Sequence, residues 1–367
     1  MQGMPESKFF SESYAEALRR FLVSVAESGG SGNSYPIRSQ DSLSIDVATL
    51  GARDAPTVLV SSGLHGIEGF FGSAIQLALL EKLQREPDSS VRYVLVHALN
   101  PYGFANLRRV NEDSVDLNRN FHSNPDDYAG APQAYAGLDS FLNPTSAPPR
   151  IDLFKAKAVW LILRHGFHAL KQVVAGGQYE HPRGLFFGGN GPCESTRIVF
   201  EHCQNWIGEA NRVVHIDLHS GLGGYGDYKL LLNTNAASPD YAWYATNFGQ
   251  EKIEPLDANQ GTAYHVSGLY GNWMQERFSS KEYRFLCAEF GTYPALRVLA
   301  SLRRENRAYR FCKKGERKYA DAKAELKECF CPSDLKWKNQ VVRSGLAIIE
   351  QAAAAVGSSA YRRSSQS

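Results

Sequence analysis

The chain has 367 residues, 43% of them hydrophobic and 21% charged, and its 40 Lys and Arg against 38 Asp and Glu give a formal charge of +2. This is ordinary globular composition, and it excludes a disordered chain, a collagen-like chain and a small disulfide scaffold. So small a charge does not favour nucleic acid as the main partner, while the length suits one large α/β body.

The opening residues Met1 to Lys8 are polar and lack a secretory apolar core. No apolar run approaches the ~18 residues of a membrane span; Ala158–Leu163 and Ala352–Val356 are short, core-type runs. Six cysteines are scattered at 193, 203, 287, 312, 329 and 331, and Cys329-Phe-Cys331 has no second pair. There is no N-x-[ST] sequon. Reduced thiols in a cytoplasmic protein with no membrane partner are the expectation.

Along the chain, Tyr14, Leu18, Phe21, Leu22 and Val25 recur at helical spacing, and the glycines at 29, 30 and 32 end that helix. Leu43–Val47, Thr57–Ser61 and Val91–Val96 read as strands, with a helix from Glu68 to about Leu83 between the last two. Residues 122–150 are rich in Pro, Gly and Asn and read as an irregular excursion. A long helix is predicted over 151–174, broken by Gly176-Gly177, and another over Ser195–Ala210. Val213–Leu218, Tyr228–Leu232 and Tyr283–Ala288 read as strands, and the chain beyond about 294 reads helical with a break near Pro332. Strands alternating with helices predict a single α/β domain: a mixed, mainly parallel twisted sheet covered by helices on both faces, with extra helices at both termini. The core spans about 40–310, after an N-terminal helix in 1–30 and before a helical extension over 311–367.

The strongest local signal is Ser62-Gly-Leu-His65-Gly-Ile-Glu68-Gly, where a strand hands over to a helix. In open α/β sheets ligands bind beyond the carboxyl ends of the strands. His65 and Glu68 are three apart, so one turn can aim an imidazole and a carboxylate at one point, and both are good zinc ligands. Two further strand ends reinforce the pattern. In Val213-Val-His-Ile-Asp-Leu-His219, period-two alternation puts His215, Asp217 and His219 on one face and Val214, Ile216 and Leu218 on the other. Glu289 closes the apolar strand from Tyr283, an expensive place for an unpaired carboxylate. Two His and one Glu leave a coordination position open, the pattern of a catalytic zinc. Such chemistry also needs a base, for which Glu289 is the candidate, and a positive charge beside a developing oxyanion. The polar stretch from Asn100 to Phe121 holds three arginines, 108, 109 and 119.

Taken in order, H-x-x-E at 65–68, N-P-x-G-F at 100–104, Arg109, D-L-N-R-N-F at 116–121, D-L-H-S at 217–220 and A-E-F at 288–290 resemble the zinc carboxypeptidase (funnelin) superfamily. The match is closest to an uncharacterised branch, whose look is shared by the opening Tyr14 helix, the His65-Gly-Ile-Glu-Gly-Phe-Phe-Gly string and Gly177 to Gly189. The resemblance implies a zinc carboxypeptidase-like fold in which His65, Glu68 and His219 hold Zn2+. It implies Glu289 as general base and acid, and Arg109 as the oxyanion partner, with Arg108 the alternative. Asn118 and Arg119 would grip a substrate carboxylate, a geometry that suits a guanidinium. Tyr264, followed by Ser267-Gly268 and Trp273, resembles the substrate-side tyrosine of digestive carboxypeptidases, and Tyr270 is the second candidate. The gap from Glu68 to His219 is long for that group, which places an insertion at 122–195; Tyr179, His181 and Arg183 there are polar groups that either line the site or make a turn.

The implied activity is zinc-dependent hydrolysis of a C-terminal peptide or amide bond in a small peptide, a metallocarboxypeptidase-type reaction. An alternative is a deacylase or amidohydrolase acting on a small N-acyl amino acid or a metabolite amide or ester. A further alternative is a non-catalytic binding module, because 296–343 carries 14 Lys and Arg against 6 Asp and Glu. The Gly221-Leu-Gly-Gly-Tyr-Gly226 string fits a dinucleotide fingerprint only in letters, since a strand rather than a helix is predicted after it.

Overall fold

The computed structural model describes residues 6–166, 176–255 and 267–358. Its strands are β1 (Ser31–Pro36), β2 (Ser44–Leu50), β3 (Thr57–Ser62), β4 (Arg92–His97), β5 (Arg212–Gly221), β6 (Tyr228–Leu231), β7 (Ile253–Glu254) and β8 (Glu282–Gly291). They form one mixed sheet in the order β1-β2-β4-β3-β5-β8-β6-β7. β4, β3, β5 and β8 lie parallel in the middle. Antiparallel β2 and β6 flank them. Every residue of β3 is buried, as an apolar strand covered on both faces requires.

The helices are α1 (Tyr14–Glu27), α2 (Gly69–Arg85), α3 (Pro101–Ala105), α4 (Tyr135–Leu142), α5 (Phe154–His165), α6 (Glu194–Ile207), α7 (Pro239–Phe248), α8 (Tyr270–Arg277), α9 (Ala295–Phe311), α10 (Arg317–Phe330) and α11 (Leu335–Gly357). On one face Val58, Val60, Val214, Ile216 and Leu286 pack with α2 and α11, through residues such as Phe71, Ile75, Val342 and Ile349. On the other, Leu59, Val94, Val213 and Phe285 pack with α6 and α8. The alternation along β5 thus sorts its side chains as expected. α2 is buried at every position from Gly69 to Leu80, so hydrophobicity rather than amphipathic spacing marks it. Among the described residues no helix is long and apolar enough to cross a membrane, and all six cysteines are free thiols.

The structure corrects several sequence boundaries. A strand that was not predicted follows the end of α1: β1 starts at Ser31 and pairs antiparallel with β2, Ser31 opposite Thr49. Its side chains are polar and mostly exposed, so no alternation marked this edge strand. The excursion at 122–150 contains α4. The helix predicted over 151–174 is α5 and ends at His165, where Gly166 turns to φ +83°; residues 167–175 lie outside the described set. A strand, β6, follows Gly221–Gly226, as the rejection of a dinucleotide site requires.

The core also stores a pH-dependent term. His97 is fully buried, stacked on Phe21 with ring centroids 4.6 Å apart and Nε2 3.0 Å from Ser73 Oγ. Burial lowers its pKa from 6.5 to about 4. Folded His97 is therefore neutral where the unfolded residue charges, so the unfolded state binds more protons between those values. Stability from this group is complete above 6.5 and is lost as pH falls toward 4. Between pH near 7.5 and pH near 5, urea unfolding should show the native protein losing about 2 kcal/mol more than His97→Gln. Equal losses would contradict this.

Candidate metal centre

The site is assembled by one turn and two strand ends. After β3, Gly63 takes φ +63° and His65 precedes a single 3-10 turn, Gly66–Glu68, that leads into α2. The turn is pinned to the polar stretch by backbone bonds: Gly66 N–H donates to Arg109 O at 3.1 Å and Ile67 N–H to Arg108 O at 2.8 Å. Gly66 is required by this approach, because a Cβ there would lie 2.2 Å from the Gly103 carbonyl carbon. Asn100 secures the other side. Its Oδ1 accepts from Gly103 N–H at 2.8 Å and its Nδ2 donates to Arg109 O at 3.1 Å. The N-P-x-G-F string is thus scaffolding that fixes Arg109 against the His65 turn.

β5 and β8 are neighbours in register, with His219 opposite Glu289. Glu68 lies between the two imidazoles. Its Oε1 is 2.9 Å from His65 Nδ1 and its Oε2 is 3.0 Å from His219 Nδ1. All three residues are buried, and one ligand atom from each lies within 4.8 Å of the others. The far nitrogens both meet carboxylates: His219 Nε2 lies 2.7 Å from Asp217 Oδ2 and His65 Nε2 lies 3.2 Å from Asp116 Oδ1. An imidazole held by a carboxylate on one nitrogen and free to ligate with the other is the usual surrounding of a protein-bound metal. Burial opposes ionisation of Glu68, yet the imidazoles outweigh it and hold its carboxyl at about 2. The donor set therefore fits a divalent cation in chemistry and direction. A second trio, His219, Cys287 and Glu289, is equally compact, but burial pushes the Cys287 thiol up, which disfavours the thiolate that binds metal.

Glu289 stays outside the His65–Glu68–His219 set. Its Oε1 accepts from Leu222 N–H at 2.8 Å, and burial with the nearby Glu68 charge raises its carboxyl to about 6. Arg109 Nε donates to Asp116 Oδ2 at 2.9 Å, while its Nη2 lies 2.6 Å from His65 Nε2 and its Nη1 3.7 Å from Glu68. These groups line one end of a cavity of 340 Å³.

The structure brings His65, Glu68, His219, Glu289, Arg109, Asn118 and Arg119 to this one cavity. It separates the two arginine candidates. Arg108 is fully buried, donates from Nε to Glu305 at 3.0 Å and packs over Tyr309, so it belongs to the core. Asn118 accepts Tyr270 N–H on Oδ1 at 3.1 Å, which leaves its amide N–H groups as the donors it can offer. Arg119 is buried under Gly177, where a Cβ would meet its Cδ at 2.6 Å. Tyr264 lies outside the described residues. Tyr270, the second phenol candidate, is fully buried beside Phe121 and His215, so the structure makes it a core residue. Tyr179 donates to Arg119 O at 2.8 Å and supports that arginine from behind.

Two residues went unassigned in the sequence: Asp116 and Asp217, the carboxylates behind the imidazoles. Their signal was present, since Asp217 shares the strand face of His219 and Asp116 opens the D-L-N-R string. Asp217 is itself braced, because Ser61 Oγ donates to its Oδ1 at 2.6 Å and lies 2.7 Å from His215 Nε2.

A family model described as "Protein of unknown function (DUF2817)" matches residues 10–344. The chain belongs to this family. A search of curated proteins returns no match. Solved structures with a similar trace include carboxypeptidase A from Helicoverpa armigera, at TM-score 0.48 and 12% identity over 86% of this chain and 73% of that one. Bovine thrombin-activatable fibrinolysis inhibitor, solved with tick carboxypeptidase inhibitor, gives 0.46 and 12% over 92% and 98%. An aspartoacylase family protein from Mesorhizobium loti gives 0.38 and 15% over 77% and 67%.

The carboxylates behind the imidazoles make the centre testable. Asp217→Asn should lower metal affinity about 10- to 100-fold, read by competition against a chromogenic chelator. Gly66→Ala should lower it as well and destabilise the fold, since the clash is with backbone. Unchanged affinity in Asp217→Asn would show that Asp217 does not orient His219.

Proposed function

We propose that this member of the DUF2817 family is a zinc-dependent hydrolase that cleaves an amide bond next to a free carboxylate, as in the C-terminal bond of a small peptide. One observation carries the reading: Glu68 spans two carboxylate-backed imidazoles while Glu289, on the adjacent strand, stays outside the ligand set. Two imidazoles and one carboxylate suit zinc among divalent ions. A bound zinc would polarise a carbonyl and lower the pKa of water toward ~7.

In this reading the chain's residues divide the remaining work. Glu289 takes a proton from water and passes it to the leaving nitrogen. A carboxyl near neutrality suits both directions of transfer, and Glu289 sits at about 6. Leu222 N–H fixes one oxygen and so orients the other. Arg109 supplies positive charge beside the His65 turn, where negative charge develops on the carbonyl oxygen. Arg119, with the amide of Asn118, binds the substrate carboxylate and sets the scissile bond in register.

A second reading, removal of an acyl group from an N-acyl amino acid, shares all these roles. It is favoured by the wall that residues of α4 and α5 raise along the cavity, an enclosure suited to small molecules rather than long peptides. Those residues lie in the 122–195 segment, which we assign as an insertion covering the site. The non-catalytic reading loses its main support, because many basic C-terminal residues are engaged internally. Arg303 and Arg307 both pair with Asp152, Arg304 with Glu325 and Lys323 with Glu305.

Purified protein should contain about one zinc per chain by elemental analysis, and a chelator should abolish hydrolysis that added zinc restores. Glu289→Gln should retain the metal yet lose about 10²- to 10⁴-fold in kcat. Full hydrolytic activity in Glu289→Gln would overturn the assignment. Arg119→Met should act mainly on KM for carboxylate-bearing substrates, and hardly at all on their amides lacking the carboxylate.

A further inference from the structure

The lining of the cavity is chemically of two kinds. One part is the ionic groups of the centre. The rest, which we call the arm, is mainly apolar, Asn233 and Glu254 aside, and α5 and α9 contribute to it at helical spacing. α5 contributes Ala158, Leu161 and Ile162, and α9 contributes Val298, Leu299 and Leu302. None of these side chains offers a hydrogen-bond donor or acceptor. A peptide laid there would leave its amides unpaired, at a cost of a few kcal/mol each. Two cations of α9 beside these residues are engaged elsewhere: Arg303 donates to Asp152 and the Phe141 carbonyl, and Arg297 lies over the Tyr293 ring. Both helices thus give apolar side chains to the same cavity that the groups of the centre line.

We infer that this arm holds the acyl chain of an amphiphile, so that the substrate is an N-acyl amino acid with a medium to long hydrocarbon chain. The inference rests on the hydrolase reading for the polar end, but the arm is a binding feature that stands without turnover. With the amino-acid carboxylate on Arg119 and Asn118 and the amide at Glu289, the chain extends into the arm. Hydrolysis breaks the acyl carbon–nitrogen bond. Water gives its hydroxyl to the acyl carbon, and the amine leaves carrying the proton that Glu289 transfers. The products are a fatty carboxylate and a free amino acid, with no redox partner.

α5 also says where such a chain could be taken from. Its outer face is apolar too: Val159, Trp160 and Leu163 are 48%, 55% and 81% exposed. Exposed Lys155, Lys157 and Arg164 lie on the same helix, and there is no acidic residue from Phe154 to His165. An apolar patch with a basic fringe fits an anionic bilayer, which we take as the source of the amphiphile.

The test uses zinc-loaded Glu289→Gln as a non-turnover trap and titrates acetyl-, octanoyl- and dodecanoylglycine calorimetrically. Affinity should rise with chain length, by at least about 30-fold from acetyl to dodecanoyl. Leu161→Arg and the arm-filling Ala158→Phe, each checked for zinc content and melting temperature, should collapse that ratio toward one. A flat series, or benzoylglycine binding tighter than dodecanoylglycine, would overturn the inference. Chain-dependent binding by a zinc-loaded wild type that hydrolyses no amide would instead sink the hydrolase reading and leave the arm standing. To separate the sources, turnover of dodecanoylglycine is compared in solution and in phosphatidylcholine vesicles with and without phosphatidylglycerol. Trp160→Ser with Leu163→Ser should depress only the anionic-vesicle rate if the bilayer is the source. Equal rates in all arms would overturn the bilayer as the source.

Discussion

A buried carboxylate held between two imidazoles is the constraint on which the molecule turns. Glu68 has lost its water, and chiefly the imidazoles of His65 and His219, with the Arg109 guanidinium farther off, hold its carboxyl ionised. Those nitrogens arrive from different strand ends, so the parallel order of β3 and β5 is a condition of the site. The far nitrogens then need partners of their own, and Asp116 and Asp217 supply them. Each layer of the centre is thus required by the polar group inside it, because a buried group without a partner is far more costly than a satisfied one.

The same logic ties the polar stretch to the C-terminal helices. Arg109 works at the centre while its neighbour Arg108 points into the core, where Glu305 on α9 accepts from it and from Lys323 on α10. Two adjacent arginines therefore serve opposite purposes, one exposing charge to the cavity and one anchoring the loop behind it. Burial lowers the Lys323 ammonium to about 8, so the anchor keeps its charge only because Glu305 offsets part of that loss. Part of the basic sequence run that suggested an external anionic partner is instead paired internally, Lys323 with Glu305 and Arg303 and Arg307 with Asp152.

What was legible in the sequence follows physical rules. β3, β4 and β8 were visible as mainly apolar runs and β5 by its period-two alternation, and the chain beyond about 294 read helical with a break near Pro332. His65, Glu68, His219 and Glu289 were legible because costly polar groups at the ends of apolar strands demand a reason. β1 was invisible, since an exposed polar edge strand carries no alternation, and β7 is only two residues long. The register to the D-L-N-R string favoured Arg109 over Arg108, and packing separates the two, since Arg108 turns onto Glu305. Tyr270 stood second to Tyr264 on the likeness of a short string, which carries no burial signal, and Phe121 and His215 enclose it.

The apolar arm adds an argument about how such a site selects. Ionic groups at one end fix the reacting bond but discriminate little among substrates that share a carboxylate and an amide. Discrimination has to come from a region that contributes binding without taking part in bond breaking, and each buried methylene can add up to ~0.8 kcal/mol. In the proposed reading α4 and α5 line part of that region, and α9, next after the Glu289 strand, lines another part. In the proposed reading the chemistry is thus set by the sheet ends and the choice of substrate by the helices around them. Helices can be remodelled without moving His65, Glu68 or His219, because none of the three is carried on α4, α5 or α9.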